Sequence, residues 1–373
     1  DEHRFPGEIF DQLADLDVLG VPVSEEYGGL GLSHEQHVEL EKEWAKVSGG
    51  LRLLLHVHNV GAELLAIAGS EDQRKRLLPQ LAEGETSLAY ALTEPHAGSG
   101  RDIATTATRE GDRYVLNGQK HHVSNGCFAD LFTIVCRNED GFTNLLVPRD
   151  APGLEVRPMP GTMGHRGACY SYLELDDCEV SADRVLGTGD DAIQLAVDRL
   201  TVSRIYIAAN ALGIAERCLE SSLDWAKKRV TFGEPIAERQ LVQASLAEMA
   251  AAVYTLRLVV SDAARRVDET GDVGIETELA KLLAIEISRE VTDEALVLYG
   301  GLGYYEEFPV ERLYREARQL WTEEGPPSIQ KMSIAADLLF GTLPYEPSEE
   351  AARAYDLGAY NPDSGDDYTL SYE

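Results

Sequence analysis

The sequence predicts an α+β multidomain chain: an N-terminal α-helical domain over 1–85, a β-barrel or sandwich over 86–190, a C-terminal four-helix bundle over 191–341 and an acidic tail over 342–373. Three observations predict it. Apolar residues recur at helical spacing up to about residue 85. The texture then changes to short runs rich in Thr, Val, Tyr and Leu, punctuated by Gly, Asn and Asp, which is the pattern of strands and turns. From about Asp191 long helical stretches return, and long helices after a β-domain imply a bundle.

In the first region Ile9, Phe10, Leu13, Leu16 and Leu19 form a helical stripe within Phe5 to Leu19. A glycine-rich turn follows Glu26, then a helix through Leu40 and Trp44, then helices over 51–68 and 72–81. Strands are expected at Tyr114–Gly118, Leu131–Cys136, Asn144–Pro148 and Ser171–Leu175. One long helix spans 193–229 with Gly213 as its single glycine, and helices over 240–269 and 276–299 follow. A last helix starts near Pro327. The tail from Tyr345 is acidic and expected to be irregular or docked on a neighbour.

Sixty-five acidic against 33 basic residues give a net charge of −32. Such a field repels nucleic acid and anionic membrane, so neither is expected as a partner. No uninterrupted apolar run reaches the roughly 18 residues of a membrane span. Only eight of the basic residues are Lys. An acidic, Lys-poor, globular composition points to concentrated salt, where the Debye length falls to about 3 Å and self-repulsion is screened. The five cysteines include no CxxC pair and no His stands at metal-ligand spacing, so no metal is expected. Free thiols and a cytoplasmic location are the expectation.

Several segments carry chemistry. Tyr90 to Ser99 reads as a strand running into Pro95 and small residues, where backbone amides and the Thr93 hydroxyl could meet a planar ligand. Asn117-Gly118 is a tight-turn signal before His121, His122, Val123 and Ser124. Arg204, followed by an apolar helix face, should point out of the core toward an anion or carbonyl. Arg229 beside the Gly233 turn is a plausible phosphate site. Glu323-Glu324-Gly325 precedes a Pro-Pro break, and a carboxylate in an apolar pocket becomes a competent base near neutrality.

The strings YALTEPHAGS at 90–99, NGQKHHVSNG at 117–126, RVTFGEPI at 229–236 and WTEEG at 321–325 together resemble the acyl-CoA dehydrogenase family, from about Phe5 to Phe340. The resemblance implies that fold, FAD as cofactor, and α,β-dehydrogenation of an acyl-CoA to the trans-2-enoyl-CoA. It implies that Tyr90, Leu92, Thr93, His122, Val123 and Ser124 lie along the flavin. Arg229, Thr231, Phe232 and Gln240 would bind the pyrophosphate and adenine half from an adjacent subunit, and Gly300 and Gly301 would close over it. Ser99, Ser203, Arg204, Glu323 and Gly325 would meet the acyl-CoA, with Glu324 as the base. Electrons would pass to an electron-transfer flavoprotein, and a homotetramer, at least a dimer, is expected. Glu323 stands where relatives usually have Tyr, which implies a polar or modified substrate or a side chain turned away. The rival readings are a flavin oxidase or monooxygenase on the same fold, and a non-catalytic binding protein, which the charge disfavours.

Overall fold

The computed structural model describes residues 7–96, 98, 102–188, 190–271 and 274–340; Ser99 and the acidic tail lie outside them. Four helices open the chain: α1 Glu8–Ala14, α2 His34–Val47, α3 Gly49–Ala68 and α4 Glu71–Ala82. Serines start three of them. Ser33 and Ser70 form reciprocal capping boxes with Gln36 and Gln73, and Ser48 accepts from the Leu51 N–H. The first helix is shorter than its stripe. Asp17 takes a left-handed φ of 57° that ends the run, and Leu16 is left exposed.

Eight strands follow: β1 Leu88–Ala91, β2 Thr106–Glu110, β3 Arg113–Ser124, β4 Leu131–Asn138, β5 Gly141–Pro148, β6 Leu154–Pro158, β7 Tyr170–Ser181 and β8 Val185–Thr188. They form one sheet in the order β6-β7-β3-β2-β4-β5-β8, with β1 pairing parallel to β4. The expected turn at Asn117-Gly118 is corrected here, because both residues lie inside β3 at a register irregularity opposite β7. Gly118 has φ 144°, and a Cβ there would sit 2.7 Å from Thr105. Asn117 instead bonds Asp177 through both its amide nitrogen and its oxygen. The hairpin between β2 and β3 turns at Gly111.

The C-terminal region contains α5 Asp190–Lys228, a small hairpin of β9 Val230–Thr231 and β10 Glu234–Pro235, then α6 Gln240–Thr270, α7 Ile275–Tyr299, α8 Pro309–Gln319 and α9 Pro327–Phe340. The helix α8 was not anticipated. Pro309 at its first turn starts it, and Val310, Leu313 and Ala317 bury its apolar stripe. The bundle core gathers residues of α5, α6, α7 and α8 with Val38 and Ala45 of α2. A separate core fills the β-domain, and a third joins α3 and α4 to β1, β4 and β5 through Leu65, Leu78, Leu88, Leu131 and Leu146. The N-terminal helices are therefore the wedge between sheet and bundle, and α3 lies at the junction of all three units.

Among the described residues two helices, α3 and α6, are long and apolar enough to cross a membrane, although neither is an uninterrupted apolar run. Most of the apolar stretch of α3 is buried inside the protein, whereas most of that of α6 is not.

Candidate active site

A cavity of about 860 Å³ opens where α3, β1, β3, α5 and the segment before α9 converge. Tyr90, Leu92, Thr93, His122 and Ser124 line one side, and Glu323, Glu324, Gly325 and Arg204 the other. Sequence motifs 230 residues apart thus meet in one site.

A β-bulge shapes the first wall. Lys120 pairs with Leu173 and Val123 with Ser171, so His121 and His122 together oppose one residue of β7. His122 takes φ 54°, and both rings reach the cavity, 4.2 Å apart in an edge contact. Burial lowers the proton affinity of both. Val123 turns the other way, into the β-domain core, so its side chain is absent from the cavity wall. The Tyr90 phenol faces the cavity with a buried oxygen that has no partner, and burial pushes its pKa up. The Thr93 hydroxyl donates to Gly98 O at 3.1 Å.

The opposite wall holds two adjacent carboxylates, and α3 binds both. Arg52 forks onto Glu323, with Nη1 2.9 Å from Oε1 and Nη2 on Oε2. One turn later His56 Nε2 lies 3.0 Å from Glu324 Oε1, and its Nδ1 lies 3.3 Å from Glu41 Oε1. Burial alone would lower the His56 pKa, but the hydrogen bonds to Glu324 and Glu41 raise it to about 10. Burial would raise that of Glu41, but His37 and His56 hold it down to about 2. The base was expected in an apolar pocket. Apolar residues such as Leu53, Val57 and Ile329 do line the cavity, and within it Glu324 pairs with the buried His56, while its Oε2 is buried and unpartnered.

The backbone of this segment is clamped. Glu324 adopts φ 54°, costly for a non-glycine residue by about 1–2 kcal/mol. Lys281 Nζ on α7 donates to Glu323 O and, at 2.6 Å, to Gly325 O. Arg204 Nε reaches Glu324 O at 3.2 Å and Gln330 reaches Gly325 O at 3.3 Å. Lys281 is fully buried, and desolvation lowers its pKa to about 8.

Arg204 is buried rather than outward, yet it lines the cavity and meets a carbonyl, Glu324 O, and an anion, Glu278 of α7. Other expected site residues fall elsewhere. Ser203 is buried, donates to Leu200 O and does not line the cavity. Arg229, Thr231, Gly300 and Gly301 line a second hollow of about 570 Å³ on the bundle. Arg239 lies there as well, bonded to Thr231 and placed over the Phe232 ring at 5.3 Å. Phe232 itself is 99% exposed, and Gln240 is exposed at the start of α6. His56, Arg52 and Lys281 were not singled out from sequence. The signal for the first two was available, since Arg52 and His56 are polar residues four apart among the leucines of a mostly apolar helix.

These surroundings fit a flavin dinucleotide. The unpartnered Tyr90 phenol and the Thr93 and Ser124 hydroxyls offer neutral groups to a heterocycle, and the second hollow offers Arg229 and Arg239 to a pyrophosphate. Family models for the acyl-CoA dehydrogenase N-terminal, middle and C-terminal domains match residues 1–85, 89–178 and 191–339 in turn. An acyl-CoA dehydrogenase of Bacillus subtilis (strain 168) is 35% identical over 346 residues, 91% of each chain. The structure of butyryl-CoA dehydrogenase from Megasphaera elsdenii superposes with a TM-score of 0.87 at 30% identity, covering 90% of this chain and 91% of that one. A glutaryl-CoA dehydrogenase from Mycobacterium smegmatis in complex with FADH2 gives 0.87 at 27% identity, with 92% and 89% covered. The chain belongs to the acyl-CoA dehydrogenase family of FAD-dependent oxidoreductases.

Proposed function

We propose that this protein oxidises an acyl-CoA thioester to the trans-2-enoyl-CoA, with Glu324 as the base. The observation that carries the reading is Glu324 Oε2, buried and unpartnered in a residue of the cavity wall, while Oε1 is held by His56. In the reaction the Cα–H bond breaks and its proton goes to Oε2. The β-hydrogen leaves with its electron pair, and bound FAD supplies the acceptor for it. Leu53, Val57 and Val60 of α3, with Leu92 and Ile329, give the cavity apolar walls that keep water from the base.

An uncharged acyl group fits this site best. Arg52, His56, Arg204 and Lys281 are each engaged by a carboxylate or a carbonyl, and Glu323 is neutralised by Arg52. An electron-transfer flavoprotein is the proposed acceptor, on the strength of the family resemblance. Assembly into a homotetramer is supported by α6, where Leu241, Tyr254 and Leu258 are 84%, 59% and 54% exposed. The acidic composition supports work in concentrated salt, and five free cysteines, four of them buried, support a cytoplasmic setting.

Anaerobic titration of the FAD-loaded protein with a panel of acyl-CoAs tests the reading. The wild type is expected to lose flavin absorbance with one chain class. Glu324→Gln should retain FAD and lose roughly 10²–10⁴ in reduction rate, the usual worth of a general base. A variant reduced at the wild-type rate removes Glu324 from the role. Peroxide formation without a protein acceptor would move the enzyme to the oxidases.

A further inference from the structure

We propose that His56 is the positioning residue of the base: bridging Glu41 and Glu324 as an imidazolium, it takes Glu324 Oε1 out of the reaction, leaves Oε2 to receive the α-proton, and sets the pH range in which the base works. The inference rests on the role proposed for Glu324.

With both carboxyls ionised, the geometry calls for the protonated form. A neutral imidazole has one N–H and one lone pair, yet here each ring nitrogen faces a carboxylate oxygen, at 3.0 Å and 3.3 Å. Only an imidazolium can donate to both. His56 and Glu41 are 2% and 0% exposed, so water cannot substitute for either contact. The raised affinity of His56 for its proton and the lowered affinity of Glu41 agree with this arrangement. With both nitrogens protonated, His56 has no lone pair to take the substrate proton. It is therefore a fixed charge and a clamp, and the proton remains on Glu324.

The clamp comes from one helix. Arg52 and His56 stand one turn apart on α3 and grip the neighbouring residues Glu323 and Glu324. Other charges face the base as well. Lys281 of α7 and Arg204 of α5 bind the backbone on either side of it, and Arg204 is offset by Glu278. From β1 the Tyr90 phenol faces it, and behind His56 stand His37, 3.5 Å from Glu41, and the ring of Tyr206. Among these, His56 is the cation at hydrogen-bond distance from the Glu324 carboxylate itself.

The test is the rate of flavin reduction by saturating acyl-CoA across pH, for wild type, His56→Gln and Glu41→Gln. Glutamine keeps a donor to Oε1 and removes the charge. Its acid limb should rise by about 1–3 pH units, the effect of losing an opposite charge at this range. Glu41→Gln keeps the cation beside the base and removes a nearby negative charge, so its acid limb should not rise. Opposite behaviour of the two variants supports the proposal, whereas damage to the site would move both alike and overturn it. Superimposable profiles also overturn it. If His56→Gln does not retain FAD, the acid limb of Glu41→Gln decides alone: at or below that of the wild type it supports the proposal, and above it overturns it. A wild type that no acyl-CoA reduces at any pH overturns the dehydrogenase reading, and this inference with it.

Discussion

At the scale of single residues the site is a set of buried charged groups held by one or two partners each. Arg52 is fully buried, and Glu323 is nearly so. Burying such a pair costs nearly as much as its attraction returns, but removing one partner leaves an uncompensated charge and costs about 3–5 kcal/mol. Arg52→Met should therefore destabilise the protein by about that amount in chemical denaturation. Adding Glu323→Met should recover most of the loss. Equal losses from the single and double variants would show that the side chains pack rather than pair. The pair also answers the question that Glu323 poses in sequence. The sequence leaves a polar or modified substrate or a side chain turned away; in the structure the carboxylate belongs to the cavity wall and is paired with Arg52, an arrangement neither alternative included. The sequence did not show this because the partners lie 271 positions apart.

Among elements, α5 organises the molecule. Its 39 residues span about 58 Å and form one wall of the bundle core. It lies so close to α2 that a Cβ on Gly213 would come within 2.1 Å of Lys42 O. Gly213→Ala, which would ordinarily favour a helix, should here separate α2 from α5 and cost about 1–3 kcal/mol. The same change would displace Glu41, which α2 carries, from His56 on α3. A higher melting temperature for this variant would mean that the contact is looser than the backbone indicates. Long periodic elements were legible in sequence for a physical reason: α3, α5, α6 and α7 each bury a stripe of apolar residues, and β4 and β5 are mostly apolar and buried along nearly their whole length. What escaped was local. The bulge at His121-His122 and the irregularity at Gly118 are set by pairing to β7, about 50 residues away. Short strands such as β2, with mostly exposed residues, have no apolar alternation to betray them. In the site, residues within motifs could be named, whereas the α3 residues that hold the carboxylates carry no motif.

For the whole molecule, the net charge and the exposed face of α6 make opposing demands. Leu241, Tyr254 and Leu258 present apolar surface that a second copy could cover, but each copy brings a charge of −32. In dilute salt the Debye length is about 10 Å, and facing subunits feel one another's charge; at molar salt it is about 3 Å and they do not. Apolar association is also strengthened by excluded salts. Assembly should therefore depend on salt in the sense opposite to that of an ion-paired interface. Sedimentation of the FAD-loaded protein should show a multi-subunit species in molar potassium chloride and smaller species near 0.1 M, with FAD lost as the assembly dissociates. The loss of FAD tests whether the hollow holding Arg229 and Thr231 is completed by a neighbour. Leu258→Asp with Tyr254→Asp should give the small species even in molar salt. A wild type whose mass does not change with salt would sink the account built on charge, and assembly by the double variant would place the interface on another face of the bundle.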